Sequence, residues 1–369
     1  MTPDLDRLLA SHPRLQGEPA FDPQEVRRRA ESLPIRVDAG HPLLDQAVRV
    51  GLAHIDLTFQ GDHPKYGAKA YFQAVHDGFP PTIIAAVDAL SAWGLLDRAS
   101  ELWSYWLQAF VGSQGEIHYY GTSLSEYGQL LHTGVLLAER GGSVESALMK
   151  PLADRVVGLV GARPKGVLLE GVPEADEADR PRRYFHNNAW LAKGLSRWNP
   201  GDPLARSLAK DTLDALRDTW GREGWLSPEA DPTLSIDRPR GRITDTRLGS
   251  YTNYRYWPEL LSSGLLTEDL AQRVVQARLD SGGDFHGATR FEDWLDDWPL
   301  FDYLQGLWSL RRRDDFLRSL YAHVALHQAE GHLTAYEQVS LPPGREKAPY
   351  CLPCQLVVPR AVAMMRSGG

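Results

Sequence analysis

Pro42-Leu43-Leu44-Asp45-Gln46-Ala47-Val48-Arg49-Val50-Gly51-Leu52-Ala53-His54-Ile55-Asp56-Leu57-Thr58-Phe59 is the stretch that sets the fold class of this chain. Leu44, Ala47, Val48, Leu52 and Ile55 recur at three- and four-residue steps, which puts them on one face of an α-helix. Reading outward with the same rule predicts eleven more helices. They cover about 80–93, which opens with Pro80-Pro81 in a first turn where a missing N–H costs nothing, then 96–111, 123–140, 144–160, 183–198, 203–220, 250–262, 267–278, 298–310, 314–330 and 353–365. Alternating strand patterns are short; Glu116-Ile117-His118-Tyr119-Tyr120 reads as a loop hairpin at one rim.

The chain has 369 residues, 43% of them hydrophobic and 24% charged, which excludes disordered and fibrous classes. Forty Lys and Arg against forty-eight Asp and Glu give a net charge of −8, and no basic block exceeds Arg27-Arg28-Arg29 or Arg311-Arg312-Arg313, so nucleic acid is not an expected partner. No apolar run reaches the roughly 18 residues of a membrane span. The opening Met1-Thr2-Pro3-Asp4-Leu5-Asp6-Arg7 lacks the charged-then-apolar pattern of a secretion signal, and the expected location is the cytoplasm. The only cysteines, Cys351 and Cys354, cannot build a disulfide framework, which fits a reducing compartment, and their expected role is packing.

Residues 1–40, with prolines at 3, 13, 19, 23 and 34, are expected to be an arm packed on the body but outside its core, and 41–369 a single (α/α)6 domain. Twelve amphipathic helices can form a closed ring of six hairpins, an open superhelix or a bundle. No fixed repeat period supports a superhelix, and the connections after 60, 112, 162, 222 and 280 are long. The expected fold is therefore all-α, an (α/α)6 toroid with its long loops gathered at one face around a central pit, where binding and chemistry usually reside.

Two constellations carry candidate chemistry. Gly171-Val172-Pro173-Glu174-Ala175-Asp176-Glu177-Ala178-Asp179 crowds four carboxylates just before an aromatic helix, Arg183-Tyr184-Phe185-His186-Asn187-Asn188-Ala189-Trp190. Like-charge crowding with partial desolvation raises proton affinity, as a general acid requires; on charge alone the segment is equally a solvated loop. Far along the chain, Glu337 stands alone among Tyr336 and Gln338 in Gly331-His332-Leu333-Thr334-Ala335-Tyr336-Glu337-Gln338, a setting in which a carboxylate can act as base toward water. Candidate groups for binding a sugar by hydrogen bonding and stacking are Asp77, Glu126, His186, Asn187, Asn188, Tyr254, Arg255, Trp257 and Tyr336. The acids of Phe291-Glu292-Asp293-Trp294-Leu295-Asp296-Asp297-Trp298 are expected to be helix-start carboxylates.

These residues resemble the six-hairpin glycosidases, which include the α-L-rhamnosidase and glycogen-debranching types and the related inverting phosphorylases. Gly171-Val172-Pro173 followed by Asp176 and Asp179, then Asn188-Ala189, is similar to that family's Gly-Leu-Pro-x-Gly-Asp-Trp-x-Asp loop and following helix. Thr334-Ala335-Tyr336-Glu337 resembles the Ala-Thr-Thr-x-Trp-Glu segment that supplies the base. Asp77-Gly78-Phe79-Pro80-Pro81 with Gly94-Leu95-Leu96-Asp97-Arg98-Ala99, and Gly115-Glu116-Ile117, match an early hairpin and an Asp-Gly-x-Ile turn. The matches are short and scattered over 43–365, and Ala175 and Glu177 replace the family's Gly and Trp. The resemblance implies Asp176 or Glu174 as general acid, Glu337 as general base, inverting hydrolysis of a glycosidic bond, a carbohydrate substrate and no cofactor.

Other readings stay open at this level. His323 and His327 share a helix face, with His332 close behind, and could ligate zinc with Glu337, although the expected metal complement is none. Helical toroids also serve as terpenoid cyclases, lyases and epimerases, for which Asp293-x-x-Asp296-Asp297 or the bases His132, His186 and Tyr251 would matter; a toroid that only binds sugar is the non-enzyme alternative.

Overall fold

The computed structural model describes residues 4–231, 238–341 and 349–368. Two short helices, α1 (Leu5–Ser11) and α2 (Pro23–Ser32), form the N-terminal segment. Next come α3 (Pro42–Thr58), α4 (Pro80–Ala92), α5 (Leu96–Phe110), α6 (Leu124–Glu139), α7 (Ser146–Ala162), α8 (Phe185–Trp198) and α9 (Pro203–Glu223). α10 (Arg247–Tyr251), a π-helical stretch (Thr252–Tyr256) and α11 (Trp257–Ser263) run on as one helix, followed by α12 (Glu268–Asp280), α13 (Leu300–Ser309), α14 (Arg313–Leu326), α15 (Leu352–Gln355) and α16 (Val357–Ser367).

The contacts close into a ring. α4 touches α6, α6 touches α8, α8 touches α11, α11 touches α13, α13 touches α16, and α15 and α16 return to α4. Outside this ring, α5, α7, α9, α12 and α14 each lie against the inner helix that precedes them, and α3 lies against α16, so the first helix of the ring system is paired with the last. This is the expected (α/α)6 toroid. The side chains explain the two layers. α5 buries Ala99, Leu102, Trp103, Trp106, Leu107 and Phe110 on one stripe, as an outer helix must, whereas α8 buries every residue from Phe185 to Ala192. Each fully buried large apolar side chain contributes about 1.5–3 kcal/mol. Between α6 and α8, a Cβ on Gly128 would stand 2.1 Å from the Trp190 carbonyl oxygen and one on Gly194 2.3 Å from that of Gly128, so only glycine permits this approach.

Connections from inner to outer helices are short, such as 93–95 and 199–202, while those from outer to inner helices are long. The latter therefore collect at one face, and 327–351 adds a sixth to the five expected from sequence. Two of them pair into a small antiparallel sheet of order β1 (Asp284–Phe285), β2 (Ala288–Phe291), β3 (Trp294–Asp296), β4 (Gln338–Ser340). Here the reading of 291–298 as a helix start is corrected. Arg290 pairs with Leu295 and Phe291 with Trp294 around the turn Glu292-Asp293, because aromatic residues flanking a two-residue polar turn favour a hairpin, and α13 begins only at Leu300. The short rim pairing at 116–120 reduces to one bridge, Val111 with Ile117.

α1 packs on α14 and α2 on α3, and Leu5, Leu15, Val26 and Ala30 are buried. Among the described residues no helix is long and apolar enough to cross a membrane.

Candidate active site

The long loops enclose a cavity of about 300 Å³ at the ring's centre. Tyr66, Tyr71 and His76 reach it from the 59–79 connection, Tyr119 and Tyr120 from 111–123, Glu174 and Asp176 from 163–184, Phe291, Asp296 and Trp298 from 281–299, and Glu337 and Gln338 from 327–351. Tyr251 and Tyr254 enter from the inner helix at and beside its π-helical stretch. A π-turn widens the helix locally and redirects its side chains, and such turns recur at functional sites. The acids implied by the resemblance thus line one hollow. No Lys or Arg is among the lining residues.

Glu174 sits on an assembled platform. Asn188 fixes the start of its loop: Oδ1 accepts from Leu169 N (2.9 Å), and Nδ2 donates to the carbonyls of Leu169 (3.0 Å) and Tyr184 (2.9 Å). Asn187 accepts from Ser125 N (3.0 Å) and donates to Val172 O (2.9 Å), and Gly171 pairs with Arg182. Beneath, Arg255 is fully buried and reaches three buried carboxylates: Glu174 Oε2 from Nη1 (3.1 Å), Glu126 Oε1 from Nη2 (2.8 Å) and Glu259 Oε1 from Nε (2.6 Å). One guanidinium cannot hold three dry carboxylates ionised. Burial pushes Glu174 up to about 7, with the Asp176 charge adding to it and Arg255 opposing. Its second oxygen, Oε1, is buried without a hydrogen-bond partner. Asp176 is exposed to the cavity, whereas Glu177 is tied to Arg247 and Arg180, and Asp179 points to solvent. The dense acidic loop therefore splits between pit, ion pairs and water.

On the same pit, Glu337 immediately precedes β4. Burial pushes its carboxyl up to about 7, while Tyr66 and Tyr71 and the Cys351 thiol, which donate toward it, favour the ionised form. Its Oε2 is buried with no well-aligned partner. Strand pairing sets Asp296 opposite Gln338, whose Nε2 donates to Asp296 Oδ2 (2.8 Å). Burial and the nearby Glu337 charge raise Asp296 well above the ordinary carboxyl range, which favours its protonated form in the wall.

Of the nine residues expected to bind a sugar, only Tyr254 lines the cavity; each of the others is held by structural partners. Asp77 is paired with Lys65 (2.8 Å) and His63 (3.0 Å), bracing the 59–79 loop. Glu126 completes the capping box of α6 with Ser123 and serves Arg255. His186 is buried, stacked on Tyr256 at 4.7 Å and bonded to Pro173 O (3.3 Å); Asn187 and Asn188 hold the acid loop; Arg255 lies under the floor. Trp257 donates to Leu226 O (3.1 Å) in the core, and the Tyr336 hydroxyl turns outward to the Glu18 carbonyl of the arm. Sequence reading missed Tyr66, Tyr71, His76, Tyr119 and Tyr120 as liners. The signal available for them was aromatic density in long loops, which carries no periodicity. The alternative assignments also disperse: Asp293 is exposed in the hairpin turn and Asp297 is buried behind the wall, so the acidic motif forms no cluster, and His132 lines a separate, smaller cavity.

The ring and its pit define the class of protein: an (α/α)6 toroid with the fold of the six-hairpin glycosidases. Solved structures share it. A glycosidase variant in complex with glucose aligns at TM-score 0.59 and 14% identity over 88% of this chain and 98% of that chain. A GH76 α-mannanase from Bacteroides thetaiotaomicron aligns at 0.56 and 8% over 88% and 96%, and a glucoamylase from Saccharomycopsis fibuligera at 0.52 and 12% over 95% and 99%. At such identities the likeness is one of fold. No family model matches the chain, and no match is found among curated proteins.

Proposed function

We propose that this protein is a glycoside hydrolase that cleaves with inversion, with Glu337 as the base toward water and Glu174 as the acid. One observation carries this reading: two glutamates from loops far apart in sequence face one aromatic cavity, each presenting a buried carboxylate oxygen that no protein group satisfies. An unpartnered buried carboxylate oxygen costs free energy, and a water or a glycosidic oxygen would satisfy it. Glu174, pushed up to about 7 and without a donor on Oε1, is suited to carry the proton for the leaving oxygen; Glu337, with donors from Tyr66, Tyr71 and Cys351, is suited to be ionised. Asp176, beside Glu174, raises the acid's proton affinity. The solved glycosidases of the same fold support the reaction class.

The lining supports a neutral sugar as substrate. A carboxyl-lined pit with no lining Lys or Arg offers uronates and sugar phosphates no countercharge, and Tyr254, Phe291 and Trp298 offer apolar ring faces for stacking. A volume of about 300 Å³ lies at the small end of ligand cavities and suits a terminal sugar unit. The test is hydrolysis of a panel of chromogenic glycosides and neutral oligosaccharides, with NMR of the anomer released first. Inverted product from at least one substrate supports the proposal. Retained configuration removes the water-activating role of Glu337, and failure to hydrolyse any member while sugar binding persists leaves a binding toroid instead.

A further inference from the structure

Behind the wall that carries Asp296 and Glu337, the end of α14, the β3–α13 junction and α15 bring His323, His327, Asp297 and Cys354 together, all fully buried. A ring nitrogen of each histidine and Cys354 Sγ lie within 4.8 Å of one another. Asp297 Oδ2 is 3.2 Å from His323 Nδ1 and 3.3 Å from His327 Nε2. The first of these is a hydrogen bond between His323 Nδ1 and Asp297, which leaves the buried and unpartnered His323 Nε2 to face a metal ion.

The hydrogen bonds sharpen this. His327 Nδ1 is 2.8 Å from Tyr336 O, and a carbonyl only accepts, so that nitrogen carries the proton and Nε2 presents a lone pair. That lone pair has no hydrogen-bond partner and faces a carboxylate oxygen in a dry interior. Facing lone pairs there repel unless a proton or a metal ion comes between them, and Cys354 Sγ within reach supplies a further ligand for a metal. A ring N–H held by a carbonyl is also the usual outer support of a metal-bound histidine, and Asp297 is oriented in the same way through Oδ1, which accepts from Thr289 N (2.9 Å).

We propose that His323, His327 and Cys354 hold a zinc ion, with Asp297 supporting His323 from outside. A thiolate and two imidazoles select zinc over magnesium or calcium. Binding would release the Cys354 thiol proton, which is now directed to Tyr336 O (3.2 Å), as zinc–sulfur bonding replaces that contact. The ion would tie the end of α14 to α15, with Asp297 bracing His323 from the segment that carries Asp296 in the pit wall. It takes no part in the chemistry proposed above. His332, bonded to Gly17 O and Thr334, and Glu337, which faces the pit, stand apart from it.

The test needs no activity. Protein produced in zinc-supplemented medium and dialysed against metal-free buffer is expected to retain one zinc per chain by elemental analysis. Cys354→Ser or His327→Gln should lower the retained zinc at least about tenfold, and a strong chelator should lower Tm in the wild type only. Cobalt(II) added during refolding should give the thiolate-to-cobalt absorption of a tetrahedral site, and this wild-type spectrum decides the matter if the variants fail to fold. Folded wild-type protein that retains no stoichiometric zinc after refolding with it, gives no cobalt–thiolate band and shows a Tm unmoved by chelator overturns the proposal.

Discussion

Replacing Glu337 by Gln is expected to abolish turnover and, at alkaline pH, to stabilise the fold; both effects come from the same burial. The Glu337 carboxyl moves from an ordinary 4.5 to about 7 in the folded chain. Below pH 4.5 it is protonated in both states and the shift has no consequence. Between 4.5 and 7 the unfolded chain ionises first, so the native state loses stability as pH rises; above 7 the deficit levels off. At about 1.4 kcal/mol per pH unit this deficit is about 3 kcal/mol. Gln keeps the volume and an acceptor for Tyr66 and Tyr71 but never ionises. Denaturant unfolding should therefore find the variant close to wild type near pH 4.5 and more stable by up to about 3 kcal/mol at pH 8, while kcat falls about 10²–10⁴-fold. Wild-type turnover, or a stability difference of equal size at both pH values, would refute the reasoning.

Glu174→Gln should slow substrates with poor leaving groups about 10²–10⁴-fold and nitrophenyl glycosides much less, since a good leaving group needs no proton; the ratio of the two rates is the measurement. The pH–rate profile should be a bell with its maximum near 7 and limbs close together, because burial brings both glutamates to about 7, and a flat profile from about pH 4 to 9 would count against the pair. Arg255→Met leaves Glu126, Glu174 and Glu259 without a countercharge and should cost about 3–5 kcal/mol in unfolding at neutral pH, less in acid where the carboxyls are neutral. Asn188→Ala removes the partner of the half-buried Leu169 N–H and should cost about 1–3 kcal/mol, with a loss of kcat from the loosened Glu174 loop, read by unfolding and kinetics together.

The ring was legible because its information is periodic. Twelve stripes of apolar residues at three- and four-residue spacing specify twelve helices, and the long connections, unevenly placed along the chain, fit a closed ring with one functional face. What failed was the local reading of Phe291–Trp298. Its carboxylates match a helix start by composition, but aromatic residues either side of Glu292-Asp293 find cross-strand partners, and Asp296 gains Gln338 from a segment some forty positions away. That pairing is non-local and leaves no periodic trace. In the N-terminal segment Leu5, Leu8 and Leu9 make a stripe only two turns long and Leu15 stands alone, so the burial of Leu5 and Leu15 depends on α14 and on the turn near Glu330.

The pit was legible in its acids and illegible in its lining, and one physical difference accounts for both. A carboxylate is conspicuous in sequence because buried charge needs a partner or a purpose. Among the polar residues flagged for sugar contact, however, a partner was usually the answer: Asn187, Asn188, Glu126 and Arg255 spend their hydrogen bonds fixing one another and the acid loop. The residues left to meet a ligand are those with polar atoms unspent, which for Glu174 and Glu337 means a single oxygen each. Satisfaction of hydrogen bonds is a property of the folded chain alone. Residue type narrowed the list of candidates, but only the geometry separates the scaffold from the surface that a substrate would touch.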